Sequence, residues 1–144
     1  MRLLVIHGPS LNLLGTREPQ TYGSKTLDDV NREISTVATE RAIEARFMQS
    51  NDEGEIIDAI HDARNTADFI IINPGAYSHY SHAIADALTA SGVRAIEVHL
   101  TNIFAREPFR RRSVIAPACV GSIVGFGSLS YVLAVRAAAQ LAAS

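Results

Sequence analysis

Short apolar runs alternate along this chain with longer stretches in which apolar residues recur every three or four positions. The apolar runs predict strands buried on both faces of a sheet, and the longer stretches predict amphipathic helices. We predict strands at residues 3–6, 44–49, 69–72, 94–98 and 120–124. We predict helices after a cap at Thr26, at residues 53–65 and 79–90, and in the alanine-rich tail after Ser128.

The alternation of strands with helices predicts a parallel sheet that is covered by helices on both faces. Five strands and about four helices fit a flavodoxin-like α/β fold with strand order 2-1-3-4-5, in a single domain of residues 1–144. Ligands of such sheets bind beyond the carboxyl ends of the strands, where strands one and three diverge. Functional side chains should therefore follow strands one, three and four.

Polar and ionisable residues do follow those three strands in the sequence. They are His7, Ser10, Asn12, Arg17 and Tyr22 after strand one, Asn73 and His79 after strand three, and His99, Thr101 and Asn102 after strand four. The segment from residue 8 to residue 25 is long and rich in Gly and Pro, which predicts a loop with a functional lid at roughly residues 16–25.

Composition and charge narrow the classes of function. The net charge of −2 argues against a nucleic-acid partner, because nucleic-acid surfaces are usually basic. The single cysteine, Cys119, cannot form an internal disulfide, which favours a reducing compartment. The first apolar run is too short for a signal peptide, and the apolar tail is too short to span a bilayer. We expect a cytoplasmic protein with no membrane partner.

Motifs for phosphate, metal and nucleophile sites are missing from the sequence. Pro9 stands where a phosphate-binding loop needs a free N–H, and His79 and His82 lack further ligands at a matching spacing. Lys25, the only lysine, lies in a polar loop and is expected to be solvated, and Cys119 lies among small apolar residues. We therefore expect no cofactor, no metal and a reaction that depends on acid–base chemistry.

Two groups of residues are candidates for that chemistry. Arg17 and Tyr22 share one loop, and lowering the pKa of a phenol from ~10 to ~7 needs roughly 4 kcal/mol of phenolate stabilisation, which a nearby arginine can supply. His99 ends a strand and can act as a general acid, and Glu97 should point to the same face. The structural alternative is a packed lid tyrosine and a histidine that is hydrogen-bonded in a turn.

One arginine of the run Arg106, Arg110, Arg111 and Arg112 is a candidate to bind an anionic substrate.

Blocks of sequence along nearly the whole chain resemble the type II 3-dehydroquinate dehydratases and fall in the order of that family. They are residues 8–19 followed by Tyr22-Gly23, residues 49–51 with 53–55, and residues 73–79, 97–99 and 106–110. The resemblance implies trimers within a dodecamer and a cofactor-free anti elimination of water from 3-dehydroquinate through an enolate. The same reaction serves the shikimate pathway of aromatic biosynthesis and the breakdown of quinate.

The resemblance also implies roles for individual residues. Tyr22 would be the base, with Arg17 keeping it anionic on a mobile lid, and His99 would be the acid, with Glu97 nearby. Substrate hydroxyls would be held by Asn73, His79 and Arg110, and the carboxylate by Leu100 and Thr101. Asp86 would approach from a neighbouring subunit.

The sequence departs from the family pattern at several positions. Ser10 stands where the family usually has an asparagine that helps to stabilise the enolate. Thr101 replaces a usual serine, Phe104 and Arg112 replace common histidines, and Ser130 replaces a common glycine. Ser10 favours the alternative of a paralogue with a shifted substrate or weak activity. A non-catalytic binder of cyclohexane carboxylates is the other alternative, and the joint presence of Tyr22, Arg17 and His99 argues against it.

Overall fold

A computed structural model describes residues 1–16 and 18–144. Its strands are β1 (Arg2–His7), β2 (Glu44–Gln49), β3 (Phe69–Asn73), β4 (Arg94–His99) and β5 (Gly121–Val124). They form a parallel sheet in the order β2-β1-β3-β4-β5, which confirms the predicted flavodoxin-like topology. The helices are α1 (Pro19–Tyr22), α2 (Leu27–Glu40), α3 (Glu53–Thr66), α4 (His82–Ser91) and α5 (Leu129–Ala142).

Alternate residues of the central strands enter two separate cores. Leu3 and Val5 of β1 pack in the core that α2 and α5 cover, whereas Leu4 and Ile6 pack in the core that α3 and α4 cover. Every residue of β3 is buried. A strand with helices on both faces has no solvent-exposed side, so its sequence is a continuous apolar run rather than an alternation.

The helix boundaries follow from their caps. As predicted, Thr26 caps α2: its hydroxyl accepts a hydrogen bond from the N–H of Asp29 at 3.1 Å, and the Asp29 carboxylate accepts one from the N–H of Thr26 at 2.9 Å. The predicted helix start at His79 is wrong. Residues Gly75–His79 form a 3-10 helix, and the hydroxyl of Ser81 accepts a hydrogen bond from the N–H of Ile84, so α4 begins at His82.

The segment after β1 contains more structure than the sequence predicted. Leu11–Leu13 form a 3-10 helix and Pro19–Tyr22 form the short helix α1. Lys25 is exposed, as expected of a solvated loop residue. Its ammonium group also lies 2.5 Å from the carboxylate of Glu33 and 2.9 Å from the hydroxyl of Ser128. Among the helices of the described residues, none has the length and apolar character needed to cross a membrane.

Candidate active site

A cavity of about 130 Å³ lies where the segments after β1, β3 and β4 meet. Eight of the predicted site residues line it: Ser10, Tyr22, Asn73, His79, His99, Leu100, Thr101 and Arg110. Glu97 does not line the cavity but contacts His99. Asp86 is exposed on α4, and its predicted approach from a neighbouring subunit stays a prediction. Arg17 lies outside the described residues.

The segments after β1 and β3 approach each other closely at Gly8. The N–H of Gly8 donates to the carbonyl of Asn73 at 2.8 Å. A Cβ atom at Gly8 would lie 2.7 Å from the carbonyl carbon of Pro74, a distance at which the backbone has to move. Glycine therefore allows the contact that brings Ser10 and Asn73 to the same cavity.

The end of β2 holds the segment that carries Ser10. The backbone N–H of Ser10 donates to Oδ1 of Asn51 at 2.9 Å, and the side-chain amide of Gln49 donates to the same oxygen at 3.1 Å. The carbonyl of Asn51 accepts a hydrogen bond from the Tyr77 hydroxyl at 2.7 Å. Asn51 therefore links the segment after β1 to the 3-10 helix that ends at His79, a role the sequence analysis did not predict.

His99 and Glu97 form a buried pair. The prediction that they share a face of β4 is confirmed, because Nε2 of His99 lies 2.5 Å from Oε2 of Glu97. Both side chains are almost fully buried, with relative exposures of 8% for His99 and 1% for Glu97. Since Nε2 is engaged by the carboxylate, Nδ1 is the nitrogen with which His99 can exchange a proton in the cavity.

Tyr22 has a basic neighbour, Arg106, which the sequence analysis named only as one of four candidates to bind an anionic substrate. The guanidinium carbon of Arg106 lies 5.3 Å from the centre of the Tyr22 ring, and both side chains line the cavity. A cation at this distance is attracted to the ring, and positive charge also favours the ionised form of a phenol. One feature of the sequence could have identified Arg106 as a site residue: it belongs to the block of residues 106–110 that resembles the family.

His79 and Arg110 also line the cavity. Nδ1 of His79 lies 2.9 Å from the carbonyl oxygen of Arg112, so Nδ1 donates this hydrogen bond and Nε2 is the ring nitrogen left for other contacts. Nε of Arg110 donates to Glu107 at 2.9 Å, and this bond lowers the pKa of the Glu107 carboxyl. Two members of the basic run, Arg106 and Arg110, therefore line the cavity, and the other two are exposed.

The remaining observations concern Cys119 and the residue types that bind metals. Burial raises the pKa of the Cys119 thiol to about 12, so this thiol is protonated at neutral pH, in agreement with its interpretation as a small apolar residue. Within residues 1–16 and 18–144, no three His, Cys, Asp or Glu side chains come together as a metal-binding group.

Comparisons with known proteins agree with each other. The family described as dehydroquinase class II matches residues 1–139. The 3-dehydroquinate dehydratase of Pelotomaculum thermopropionicum is 52% identical over 142 residues, which are 99% of each chain. That of Caldicellulosiruptor bescii is 56% identical over 141 residues and 97% of each chain. The crystal structure of type II dehydroquinase from Butyrivibrio crossotus matches with a TM-score of 0.93 and 47% identity, over 95% of this chain and 96% of that one.

Proposed function

This chain belongs to the class II dehydroquinase family and is a 3-dehydroquinate dehydratase, a hydro-lyase, and we propose that Tyr22 is the base of its reaction and His99 the acid. The observation that carries the proposal is that both residues line one cavity although they follow different strands. An anti elimination needs a base and an acid on opposite faces of the substrate ring. Segments after β1 and β4 can supply the two sides of one crevice.

Tyr22 removes the proton from the carbon beside the ketone, and the electrons of the broken C–H bond form the enolate. This step needs the phenolate form of Tyr22. Arg106 supplies positive charge next to the ring, and Arg17 is proposed to do the same from the lid. A closed lid excludes water and so strengthens both interactions.

His99 then donates a proton to the departing hydroxyl, which leaves as water while the enolate collapses to the conjugated enone. The proton comes from Nδ1, because Nε2 is hydrogen-bonded to Glu97. The buried carboxylate orients the ring and stabilises its protonated form before the transfer. The reaction leaves a proton on Tyr22 and removes one from His99, so exchange with water restores both groups.

The remaining residues of the cavity hold the substrate. The backbone N–H groups of Leu100 and Thr101 bind the carboxylate, together with the Thr101 hydroxyl. Hydroxyl groups of the substrate are bound by Asn73, His79 and Arg110. Ser10, which also lines the cavity, is proposed to stabilise the enolate.

The proposed assembly is a dodecamer that consists of four trimers, in which Asp86 reaches the cavity of a neighbouring subunit. Several large apolar side chains are exposed in the isolated chain, including Phe104, Phe126 and Leu129, which supports burial in subunit contacts. The single cysteine supports a cytoplasmic location.

The test follows the ultraviolet absorbance of the conjugated enone when purified protein is mixed with 3-dehydroquinate, without added metal or cofactor. The wild type should give a steady rise that survives chelator and borohydride. Tyr22→Phe should lower kcat by about 10²–10⁴, since it removes the proton acceptor. Tyr80→Phe is a matched control, because Tyr80 is 60% exposed and does not line the cavity.

Near-normal turnover by Tyr22→Phe would rule out Tyr22 as the base. A flat trace from folded wild-type protein would instead favour the paralogue with a shifted substrate. Ser10, which replaces the family's usual asparagine, is the feature that favours this second candidate.

A further inference from the structure

We propose that Ser113 is a positioning residue for the acid of the reaction and acts through Glu97. This inference rests on the proposed role of His99. The hydroxyl oxygen of Ser113 lies 2.8 Å from Oε1 of Glu97 and 3.0 Å from Oε2. Ser113 does not line the cavity, so it acts on the substrate only through the pair of Glu97 and His99.

The backbone decides which way the Ser113 hydroxyl points. Its oxygen accepts hydrogen bonds from the N–H of Ile115 at 3.2 Å and from the N–H of Ala116 at 3.0 Å. A hydroxyl has two acceptor sites and one hydrogen, so two backbone donors leave the hydrogen for Glu97. Ser113 is therefore a fixed donor to a carboxylate that is almost completely buried.

A fixed donor to Glu97 affects how tightly the buried pair holds its proton. With His99 neutral, the pair carries one negative charge, and with His99 protonated it carries none. A hydrogen bond to the carboxylate stabilises the charged state more than the neutral one. Removing the hydroxyl should make the pair retain its proton to higher pH and release it less readily to the leaving hydroxyl.

The other titratable and charged groups around the pair are the same in wild type and variants. On the side of Ser113, Arg111 and Glu97 line a second recess, and the thiol of Cys119 is close enough to Glu97 for the two to interact electrostatically. On the cavity side the groups are Tyr22, His79, Arg106 and Arg110. A difference between Ser113 variants therefore reports on the hydroxyl.

The experiment measures kcat and KM for 3-dehydroquinate between pH 5 and 10 in Ser113→Ala and Ser113→Thr. We expect Ser113→Ala to lower kcat by about tenfold or more, as for loss of a hydrogen bond to a charged group, with little change in KM. The alkaline limb of its pH profile should move to higher pH. Ser113→Thr keeps the hydroxyl, so its kcat and the position of its alkaline limb should match those of the wild type.

Ser91→Ala is the matched control for loss of structure alone. The Ser91 hydroxyl is buried, donates to the carbonyl of Leu88 and accepts from the N–H of Val93, and it does not line the cavity. This variant should lower Tm without moving kcat or the alkaline limb. If Ser113→Ala does not fold, Ser113→Cys makes the same comparison, because a thiol is a weaker donor.

A wild-type rate and an unmoved alkaline limb in Ser113→Ala or Ser113→Cys would overturn the role of Ser113. Failure of Ser113→Thr to restore the limb would also overturn it. If the wild type is active and the Ser113 variants have the same kcat and pH profile, the proposed function stands and this inference alone fails. An inactive wild type would overturn both.

Discussion

The side-chain nitrogen of Asn73 donates a hydrogen bond to the phenol oxygen of Tyr131 at 3.0 Å. The same oxygen lies 3.0 Å from Nδ1 of His7, and Nε2 of His7 lies 2.8 Å from Oδ1 of Asn31. An amide oxygen only accepts, so Nε2 of His7 carries the proton, and the Tyr131 hydroxyl donates to Nδ1. This directed chain of hydrogen bonds orients the Asn73 amide at the cavity.

Tyr131→Phe should destabilise the fold and weaken the proposed hydrogen bond between Asn73 and a substrate hydroxyl. The change leaves the Nδ2 group of Asn73 and Nδ1 of His7 without their partner in a fully buried site. Unpaired buried polar groups cost about 1–3 kcal/mol each, so we expect the free energy of unfolding to fall by about 2 kcal/mol or more. KM for 3-dehydroquinate should rise severalfold. Urea unfolding and steady-state kinetics measure the two effects, and a variant equal to Tyr80→Phe in both would contradict the prediction.

His7 should make the protein less stable at mildly acidic pH. Burial lowers the pKa of His7 from 6.5 to about 4, so between these values the unfolded chain binds a proton that the folded chain does not. Stability therefore rises with pH in this range, and the contribution of His7 is lost as pH falls from about 6.5 towards about 4, at a total cost of about 3 kcal/mol.

The measurement compares wild type with His7→Gln, which keeps a donor and an acceptor but does not titrate. Urea unfolding at several pH values between 4 and 7 gives the difference in stability between the two proteins. The free energy of unfolding of the wild type, relative to that of His7→Gln, should decrease as pH falls. A difference that stays constant with pH would contradict the lowered pKa. Carboxylates whose pKa is lowered by neighbouring Lys or Arg side chains, such as Glu33 and Glu107, also make stability depend on pH, but they are common to both proteins and cancel.

Ser10→Asn should raise both stability and turnover. Ser10 has a φ of 69°, in the left-handed region that asparagine tolerates better than serine. Backbone strain of this kind costs about 1–3 kcal/mol, so relief of part of it should raise the free energy of unfolding by up to about 1 kcal/mol. The longer amide should also reach the enolate better and increase kcat.

Ala42→Asn separates the two effects. Ala42 also has a positive φ, of 55°, but it is exposed and does not line the cavity. This control should gain stability without a change in kcat. Equal kcat values for wild type and Ser10→Asn would show that serine at this position does not slow the proposed reaction.

Much of the fold was predictable because its signals are local. The strand β3 starts with four consecutive apolar residues, and the cap at Thr26 depends on Asp29, only three residues away. The start of α4 was not predictable in the same way, since apolar spacing continues through residues 79–90. There the hydroxyl of Ser81 decides the boundary, and it also contacts Glu53, which lies far away in the sequence.

The sequence by itself determined which polar residues follow which strand, because a parallel sheet brings the carboxyl ends of its strands to one edge. It also determined that Glu97 and His99 share a face, because side chains alternate along a strand. Only the tertiary structure decided that Arg106 lies over Tyr22, that Ser113 donates to Glu97 and that Tyr131 holds Asn73. The physical reason is that each of these contacts joins residues far apart in the chain, whose meeting depends on how loops and helices pack rather than on any local pattern.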